Sequence, residues 1–174
     1  MNGGTVVIDA CLAITFGSAG ALDVVSKLSL HHVAMAKRAF GEILKQPTLG
    51  VLQAAVTSGS IVIESIDLSN SAEQDALVRF DARPAFKNRG EAEVLALAVS
   101  RGYIVGSDER PVRTSALKEL GVHRVATTLD FLVWAIREGR LTLVQAESLV
   151  QALDVGPQLV KALAASGKVL KDLI

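Results

Sequence analysis

The sequence predicts an α/β domain of three layers, in which helices cover both faces of a mainly parallel central sheet. Short β-branched runs alternate with longer segments of helical period along most of the 174 residues, as strand–helix–strand crossovers require. Half of the residues are hydrophobic and only 4% are aromatic, so the core must consist mainly of Val, Leu, Ile and Ala, which suits buried parallel strands. We expect a single domain over residues 1–174, with an α/β core at 1–141 and a helical extension at 142–174.

The first half of the chain begins with a strand and is mainly helical after it. A buried strand is expected at 5–8, where a β-branched run stops at Asp9. Helical period then covers 10–30 with a break at 17–20, and a brief strand follows at 33–35. The further elements predicted in this half are helices at 36–45 and 48–58, a strand at 61–66 and a helix at 72–83.

In the second half of the chain, glycine and proline mark the ends of the helices. Gly102 closes a helix predicted at 91–101. Pro111 falls in the first turn of another helix, which Gly121 closes. The remaining predicted elements are strands at 103–106 and 123–126, a helix at 128–138, and two amphipathic helices after residue 142, separated by Gly156 and Pro157.

Composition and charge exclude several classes of protein. Because 18 basic residues balance 18 acidic ones, no strong overall field attracts nucleic acid, and binding to it would need local basic patches. Cys11 is the only cysteine, which excludes an internal disulfide and fits a reducing compartment. The start of the chain lacks a basic signal-peptide region, and no uncharged apolar run reaches the roughly 18 residues of a membrane span. We therefore expect a cytoplasmic protein without membrane contact.

Two acidic residues directly follow predicted strands. Asp9 comes after the strand at 5–8, and Asp108 comes after the strand at 103–106 and one serine. Ligands of open parallel sheets bind outside the carboxyl ends of the strands. A carboxylate beside such apolar runs is costly unless a partner compensates it, and a bound cation is one such partner. Alternatively, each acid caps the helix that follows it.

Two further acids lie on the inward faces of predicted helices. Apolar residues three, four and seven positions after Glu91 form a stripe, so Glu91 begins the inward face while Glu93 is turned well away from it. Glu42 ends a similar stripe. Either acid could serve the helix dipole or reach the mouth of the sheet. Four such carboxylates suit Mg²⁺ or Mn²⁺, and no cluster of His or Cys competes for a softer metal.

Several segments resemble PIN-domain ribonucleases, in particular the branch with a Gly-Glu-Ala-Glu motif. The family's first strand and first acid resemble VVIDACLAI, and the helix with its second acid resembles KRAFGEIL. The most specific match is RGEAEVLALAVSRGYIVGSDERPVR, and the downstream strand and helix resemble GVHRVATTLDFLVWAIREGRLT. The two final helices also have counterparts in that family, so the resemblance spans nearly the whole chain and implies a PIN-like fold.

The resemblance implies an endoribonuclease that hydrolyses phosphodiester bonds of single-stranded RNA with the help of Mg²⁺ or Mn²⁺. The residues it assigns to metal binding and catalysis are Asp9, Glu42, Glu91 and Asp108. Glu109 and Arg113 fall in the same matching block and would assist, while Thr127 or Thr128 would supply a hydroxyl near the site. The sequence departs from the family two positions after the first acid, where Ser or Thr is frequent and Cys11 stands here.

The resemblance also implies partners. It suggests a toxin paired with an antitoxin protein, and a homodimer is common in the family. Apolar residues of the final helix could pack within the chain, form that dimer or hold the antitoxin; they are Leu159, Val160, Leu163, Val169, Leu170 and Leu173. Basic residues near the acids could line an RNA groove or simply form solvated helix faces; they are Arg79, Arg83, Lys87, Arg89, Arg110, Arg113 and Lys118.

Other functions remain open from the sequence. A PIN fold without catalysis would serve as a binding or regulatory module. An aspartyl-phosphate phosphatase would usually carry a second Asp two residues after the first, and Cys11 occupies that position. A receiver-like module would need an acid pair near the first strand and an Asp at the end of a middle strand, and the strand at 61–66, which contains Glu64 and ends near Asp67, matches this pattern poorly. The glycines at 17 and 20 do not complete a dinucleotide-binding fingerprint.

Overall fold

A five-stranded sheet, parallel throughout, lies at the centre of the computed structural model, which describes residues 4–86 and 88–153. The strand order is β3-β2-β1-β4-β5. The strands are β1 (Thr5–Ile8), β2 (His32–Ala36), β3 (Val62–Glu64), β4 (Ile104–Gly106) and β5 (Val125–Ala126). The predicted α/β class with a parallel sheet is confirmed.

Helices connect the strands and form two groups that cover the sheet. The helices are α1 (Ala10–Ser18), α2 (Leu22–Ser26), α3 (Lys37–Gly41), α4 (Thr48–Thr57), α5 (Ser71–Asp81), α6 (Arg89–Arg101), α7 (Arg110–Leu120), α8 (Thr128–Arg137) and α9 (Leu143–Ala152). Helices α1, α2, α4 and α8 pack among themselves, as do α3, α5, α6 and α7, which gives three layers. None of the described helices is long and apolar enough to cross a membrane.

Most predicted elements are present, and the differences lie at their ends. The helix expected at 36–45 stops at Gly41, so that Glu42 becomes its C-cap. The two edge strands are shorter than expected, because each pairs with only one neighbour over two or three residues. A 3-10 turn, Val122–Arg124, replaces the first part of the strand predicted at 123–126. The second predicted C-terminal helix and its apolar residues lie outside the described residues.

Helix α6 is buried on more than one side, and this corrects one prediction. Residues 92–98 are all buried, because α6 packs against α3, α5 and α7 as well as against β1, β2 and β4. Glu93, expected to turn away from the core, is only 4% exposed. Its Oε2 accepts a hydrogen bond of 2.6 Å from the backbone N–H of Arg38. The helical period of apolar residues in the sequence locates only one buried face of a helix. In the structure, neighbouring helices also cover other faces of α6, including the one that carries Glu93.

Candidate metal centre

The strand order reverses between β1 and β4, and the candidate site lies at the carboxyl ends of these two strands. The chain runs from β1 outward to β2 and β3, and then returns to β4 and β5 on the other side. Such reversals leave a crevice where α/β proteins bind ligands. A cavity of about 40 Å³ opens there, lined by Asp9, Ala10, Cys11, Glu42, Asn88, Glu91 and Glu109. Three of the four predicted metal ligands thus lie around one cavity.

Asp9 both caps α1 and lines this cavity. Its side chain is 2% exposed, and its Oδ1 accepts a hydrogen bond of 2.8 Å from the backbone N–H of Leu12. Its Oδ2 accepts a hydrogen bond from the Ser107 hydroxyl. Burial raises the pKa of Asp9 to about 7; the bonds from Ser107 and Leu12 oppose this rise, and the charges of Asp108 and Glu109 add to it. The capping role and the place in the cavity therefore coexist at one residue.

Glu42 and Glu91 reach the cavity from two adjacent helix ends. Glu42 follows α3, and its Oε1 accepts a hydrogen bond of 2.9 Å from the backbone N–H of Gly90 in the first turn of α6. Glu91 is the next residue of that turn and is half-buried. A Cβ at Gly90 would lie 2.8 Å from the Ala39 Cα and 2.8 Å from the Glu42 Oε1. Glycine at this position is what allows the two helices to approach so closely.

Glu109, and not Asp108, completes the acidic lining. Both Asp108 oxygens accept hydrogen bonds from Thr128, one from its backbone N–H at 3.0 Å and one from its hydroxyl. Thr128 is fully buried at the start of α8, so its two donors need such a partner. Asp108 therefore ties the end of β4 to α8, while the exposed Glu109 side chain lines the cavity.

The two threonines proposed to supply a hydroxyl have different roles. Thr128 donates to Asp108 as described, whereas Thr127 forms a capping box with Asp130, with its backbone N–H and hydroxyl each 2.7 Å from the Asp130 Oδ2. Thr128 thus reaches the strand end beside the cavity through Asp108. Thr127 is the N-cap of α8 and stabilises the first turn of that helix.

Ser107 supplies the hydroxyl that contacts Asp9, and the sequence did not single it out. The register pairs Ile8 with Gly106, so Asp9 and Ser107 are the next residues along two neighbouring strands. The Ser107 hydroxyl also accepts a hydrogen bond of 3.1 Å from the backbone N–H of Glu109. Only the adjacency of β1 and β4, which pattern alone does not provide, would have identified this serine.

Cys11, two residues after Asp9, also lines the cavity. Burial raises the pKa of its thiol to about 12, and the negative charges of Asp9, Glu109 and Asp108 act in the same direction. At neutral pH the group is therefore a neutral thiol. Cys11 is not the nucleophilic thiolate that cysteine chemistry would require.

Two of the basic residues considered for an RNA groove are held in another arrangement. Arg79 and Arg83 both pair with Glu119, at 3.2 and 2.7 Å. Their guanidinium groups also lie 4.7 and 4.6 Å from the centre of the Phe80 ring. These contacts join α5 and the residues directly after it to α7, so the two arginines serve packing. Lys87 lies outside the described residues.

Arg89 and Arg110 remain suited to contact a ligand at the cavity. Each is exposed and directly follows a residue of the lining, Asn88 in the first case and Glu109 in the second. Arg113 lies one turn beyond Arg110 on α7, and its buried Nε has no hydrogen-bond partner among the described residues. Positive charge is therefore present at the rim of an acidic cavity.

The side chains that line the cavity offer the type of donor atom, oxygen, that a hard divalent cation binds. It comprises four carboxylates and the amide of Asn88, and oxygen donors of this kind are the ligands that Mg²⁺ and Mn²⁺ prefer. Over residues 4–86 and 88–153, no three acidic, His or Cys side chains converge as they stand to hold a metal ion. Asp9 and Glu42 instead direct oxygens to backbone N–H groups of α1 and α6.

Comparisons with known proteins add no family to this geometry: no family model, no curated protein and no solved structure matches the chain. The PIN-domain resemblance therefore stays a prediction.

Proposed function

We propose that the chain is a metal-dependent ribonuclease that hydrolyses phosphodiester bonds in single-stranded RNA. The observation that carries the proposal is the common cavity of four carboxylates from distant parts of the sequence, at the carboxyl edge of a parallel sheet where the strand order reverses. The proposed ligands of Mg²⁺ or Mn²⁺ are Asp9, Glu42, Glu91 and Glu109. Four like charges around so small a space repel one another, and a divalent cation would remove that repulsion.

Asp9 is the central ligand in this proposal. Its pKa of about 7 means that a large part of the population is protonated at neutral pH, whereas a nearby cation would favour the ionised form. The bonds from Leu12 and Ser107 hold both of its oxygens in position before any cation arrives. Such outer partners orient ligands and tune their affinity.

The chain's own residues would bind and orient the RNA beside the cation. When bound, the cation would lower the pKa of a water molecule and offset the charge that develops on the phosphate. Arg89 and Arg110 would hold phosphates on either side of the cavity, because both lie beside its lining. Asp108 would keep α8 against the end of β4 through Thr128.

The proposed ligand set differs from the sequence-based set at one position. The sequence-based assignment uses Asp108, whereas the proposal uses Glu109, because both oxygens of Asp108 already accept hydrogen bonds from Thr128. Asp108 becomes a positioning residue. A toxin role, an antitoxin partner and a homodimer are finer proposals that depend on the resemblance alone.

A phosphatase with an aspartyl-phosphate intermediate fits this cavity less well. That chemistry needs a general acid close to the nucleophile, and the side chain two residues after Asp9 is the Cys11 thiol. With a pKa of about 12, this thiol is a poor proton donor at neutral pH. The side chains of the cavity therefore favour the nuclease over the phosphatase.

The test is cleavage of a labelled single-stranded RNA with added Mn²⁺, compared with the same reaction in EDTA. We expect Asp9→Asn and Glu109→Gln to lose roughly 100-fold or more in rate, whereas Asp108→Asn should lose roughly 10-fold, the lower end of the range that is typical of outer partners. Circular dichroism checks that all variants fold. Unchanged cleavage in Asp9→Asn and Glu109→Gln would exclude the proposed centre, and a greater loss in Asp108→Asn than in Glu109→Gln would restore the sequence-based ligand set.

A further inference from the structure

Helices α3 and α6 cap each other across their interface. Neither has a capping hydrogen bond from its own N-cap side chain, which is Ala36 for α3 and Asn88 for α6. Instead, the Glu93 Oε2 of α6 accepts a hydrogen bond of 2.6 Å from the backbone N–H of Arg38 in α3. In the other direction, the Glu42 Oε1 accepts one of 2.9 Å from Gly90, in the first turn of α6. We call these two bonds the α3–α6 clasp.

Both bonds of the clasp provide partners for polar groups that would cost free energy if they were buried without a hydrogen bond. The first N–H groups of a helix have no partner within the helix. Glu93 is 4% exposed, and a carboxylate buried to that extent needs a strong donor. A backbone N–H at 2.6 Å provides it. The clasp is therefore expected to hold the start of α3 at one place on α6.

The position of α3 determines where Glu42 lies. Helix α3 has five residues, so its two ends are less than roughly 10 Å apart and move together. Glu93 holds the N-terminal end, and Glu42 projects from the C-terminal end into the cavity beside Glu91. Because the clasp and the cavity share Glu42, a shift of α3 would withdraw one of the four carboxylates.

We propose that Glu93 is a positioning residue for the candidate metal centre: through Arg38 it fixes α3 so that Glu42 reaches the cavity. Gly90, Glu91 and Glu93 then have separate tasks within one turn of α6. Gly90 permits the close approach of α3, Glu91 lines the cavity, and Glu93 secures the helix that carries the second acid. The consequence for metal binding rests on the proposed function, while the consequence for Glu42 does not.

The test uses three changes at one position and a matched control. Glu93→Leu removes the acceptor, Glu93→Asp withdraws the carboxylate by one methylene, and Glu93→Gln keeps an acceptor without the charge. Glu73→Leu on α5 is the control, because Glu73 is 5% exposed and its Oε2 likewise accepts a backbone N–H, that of Asp67 at 2.7 Å. Glu73 also pairs with Arg101, which is the last residue of α6 and lies at the opposite end of that helix from Gly90. Should Glu93→Leu fail to fold, Glu93→Asp carries the test.

The first measurement is amide hydrogen exchange by NMR in the metal-free protein. We expect the Gly90 amide to exchange at least roughly 10-fold faster in Glu93→Leu and Glu93→Asp, the equivalent of one lost hydrogen bond, while the Leu95 amide in the middle of α6 keeps its protection. Glu93→Gln and Glu73→Leu should leave Gly90 protected. Unchanged exchange at Gly90 in both Glu93→Leu and Glu93→Asp overturns the positioning role, whatever the protein does with metals.

The second measurement is the Kd for Mn²⁺ by calorimetry. We expect a loss of roughly 10-fold in Glu93→Leu and Glu93→Asp, as for other outer partners of metal ligands, and almost none in Glu93→Gln or Glu73→Leu. An equal loss in Glu93→Gln would show that the charge of Glu93 matters and not its hydrogen bond, which overturns the proposal. Absence of Mn²⁺ binding by the wild type would overturn the proposed function, and the exchange at Gly90 would still decide the role of Glu93.

Discussion

At the scale of single residues, Asp9 shows how one side chain can serve the fold and a site together. Its Oδ1 caps α1, which favours the charged form, while its burial favours the neutral form. Burial is the stronger effect and raises the pKa to about 7. A residue whose ionisation is costly in the folded protein makes stability depend on pH and on any bound cation.

We predict that Asp9→Asn stabilises the metal-free protein at pH 8 more than at pH 5. The pKa of Asp9 rises from 3.8 in the unfolded chain to about 7 in the folded one. The folded state therefore holds more protons between these values, and wild-type stability falls as pH rises through that window. The difference between the variant and the wild type should grow by up to roughly 3 kcal/mol from pH 5 to pH 8.

Urea denaturation in EDTA at the two pH values measures this difference. Added Mn²⁺ should restore wild-type stability at pH 8 and should have less effect on Asp9→Asn, because the cation would favour the ionised carboxylate. A gap between wild type and Asp9→Asn that is the same at both pH values would contradict the raised pKa.

At the scale of elements, the approach of α3 to α6 decides whether the acids can meet. Gly90 faces the backbone of Ala39 at a distance that leaves no room for a Cβ. At Gly41, on the neighbouring helix, a Cβ would meet no atom within 4 Å, and the backbone does not adopt a positive φ. Gly90 and Gly41 are both helical, but only Gly90 has the backbone of another helix packed against the position of its missing Cβ.

We predict that Gly90→Ala destabilises the protein by roughly 1–3 kcal/mol, because the added methyl group must push backbone atoms of α3 away. Gly41→Ala is the control, and it should be neutral or stabilising by about 0.5–1 kcal/mol, since alanine favours helix. Urea denaturation compares the two variants. Equal effects of both substitutions would mean that the helices can separate at little cost.

At the scale of the whole molecule, the charges cancel, so RNA binding depends on where they lie. The sequence has 18 basic residues, Lys and Arg together, and 18 acidic residues, Asp and Glu together. Arg110 lies at the carboxyl edge of the sheet beside the cavity, whereas Lys27 precedes β2 at the opposite edge. We therefore expect Arg110, and not Lys27, to contact an RNA strand bound at the cavity.

We predict that Arg110→Gln weakens binding of single-stranded RNA irrespective of its sequence and reduces the slope of log K against log salt concentration by about 0.7. Lys27→Gln should change neither. Fluorescence anisotropy over a salt series, with Asp9→Asn in every sample to prevent cleavage, provides the measurement. If both variants kept the wild-type slope, RNA would not lie across this edge.

Local signals identified most elements of the fold, because they depend on neighbours in sequence. Gly102 ends α6 with a left-handed φ of 68°, as its place after a helical run predicts. Asp9 follows a β-branched run and lies at a strand end. Local signals do not show which of Asp108 and Glu109 lines the cavity, because both follow β4. Asp108 is held by hydrogen bonds from Thr128, which is 20 residues away in the sequence.

The pattern of apolar runs, turns and acids determined by itself that this protein is a parallel α/β domain and that acids follow its strands, since these features follow from interactions between near neighbours. The tertiary structure alone decided that Glu109 lines the cavity, that Ser107 holds Asp9 and that Glu93 secures α3. Those contacts join residues brought together by strand order and helix packing, which act over distances that periodicity does not encode.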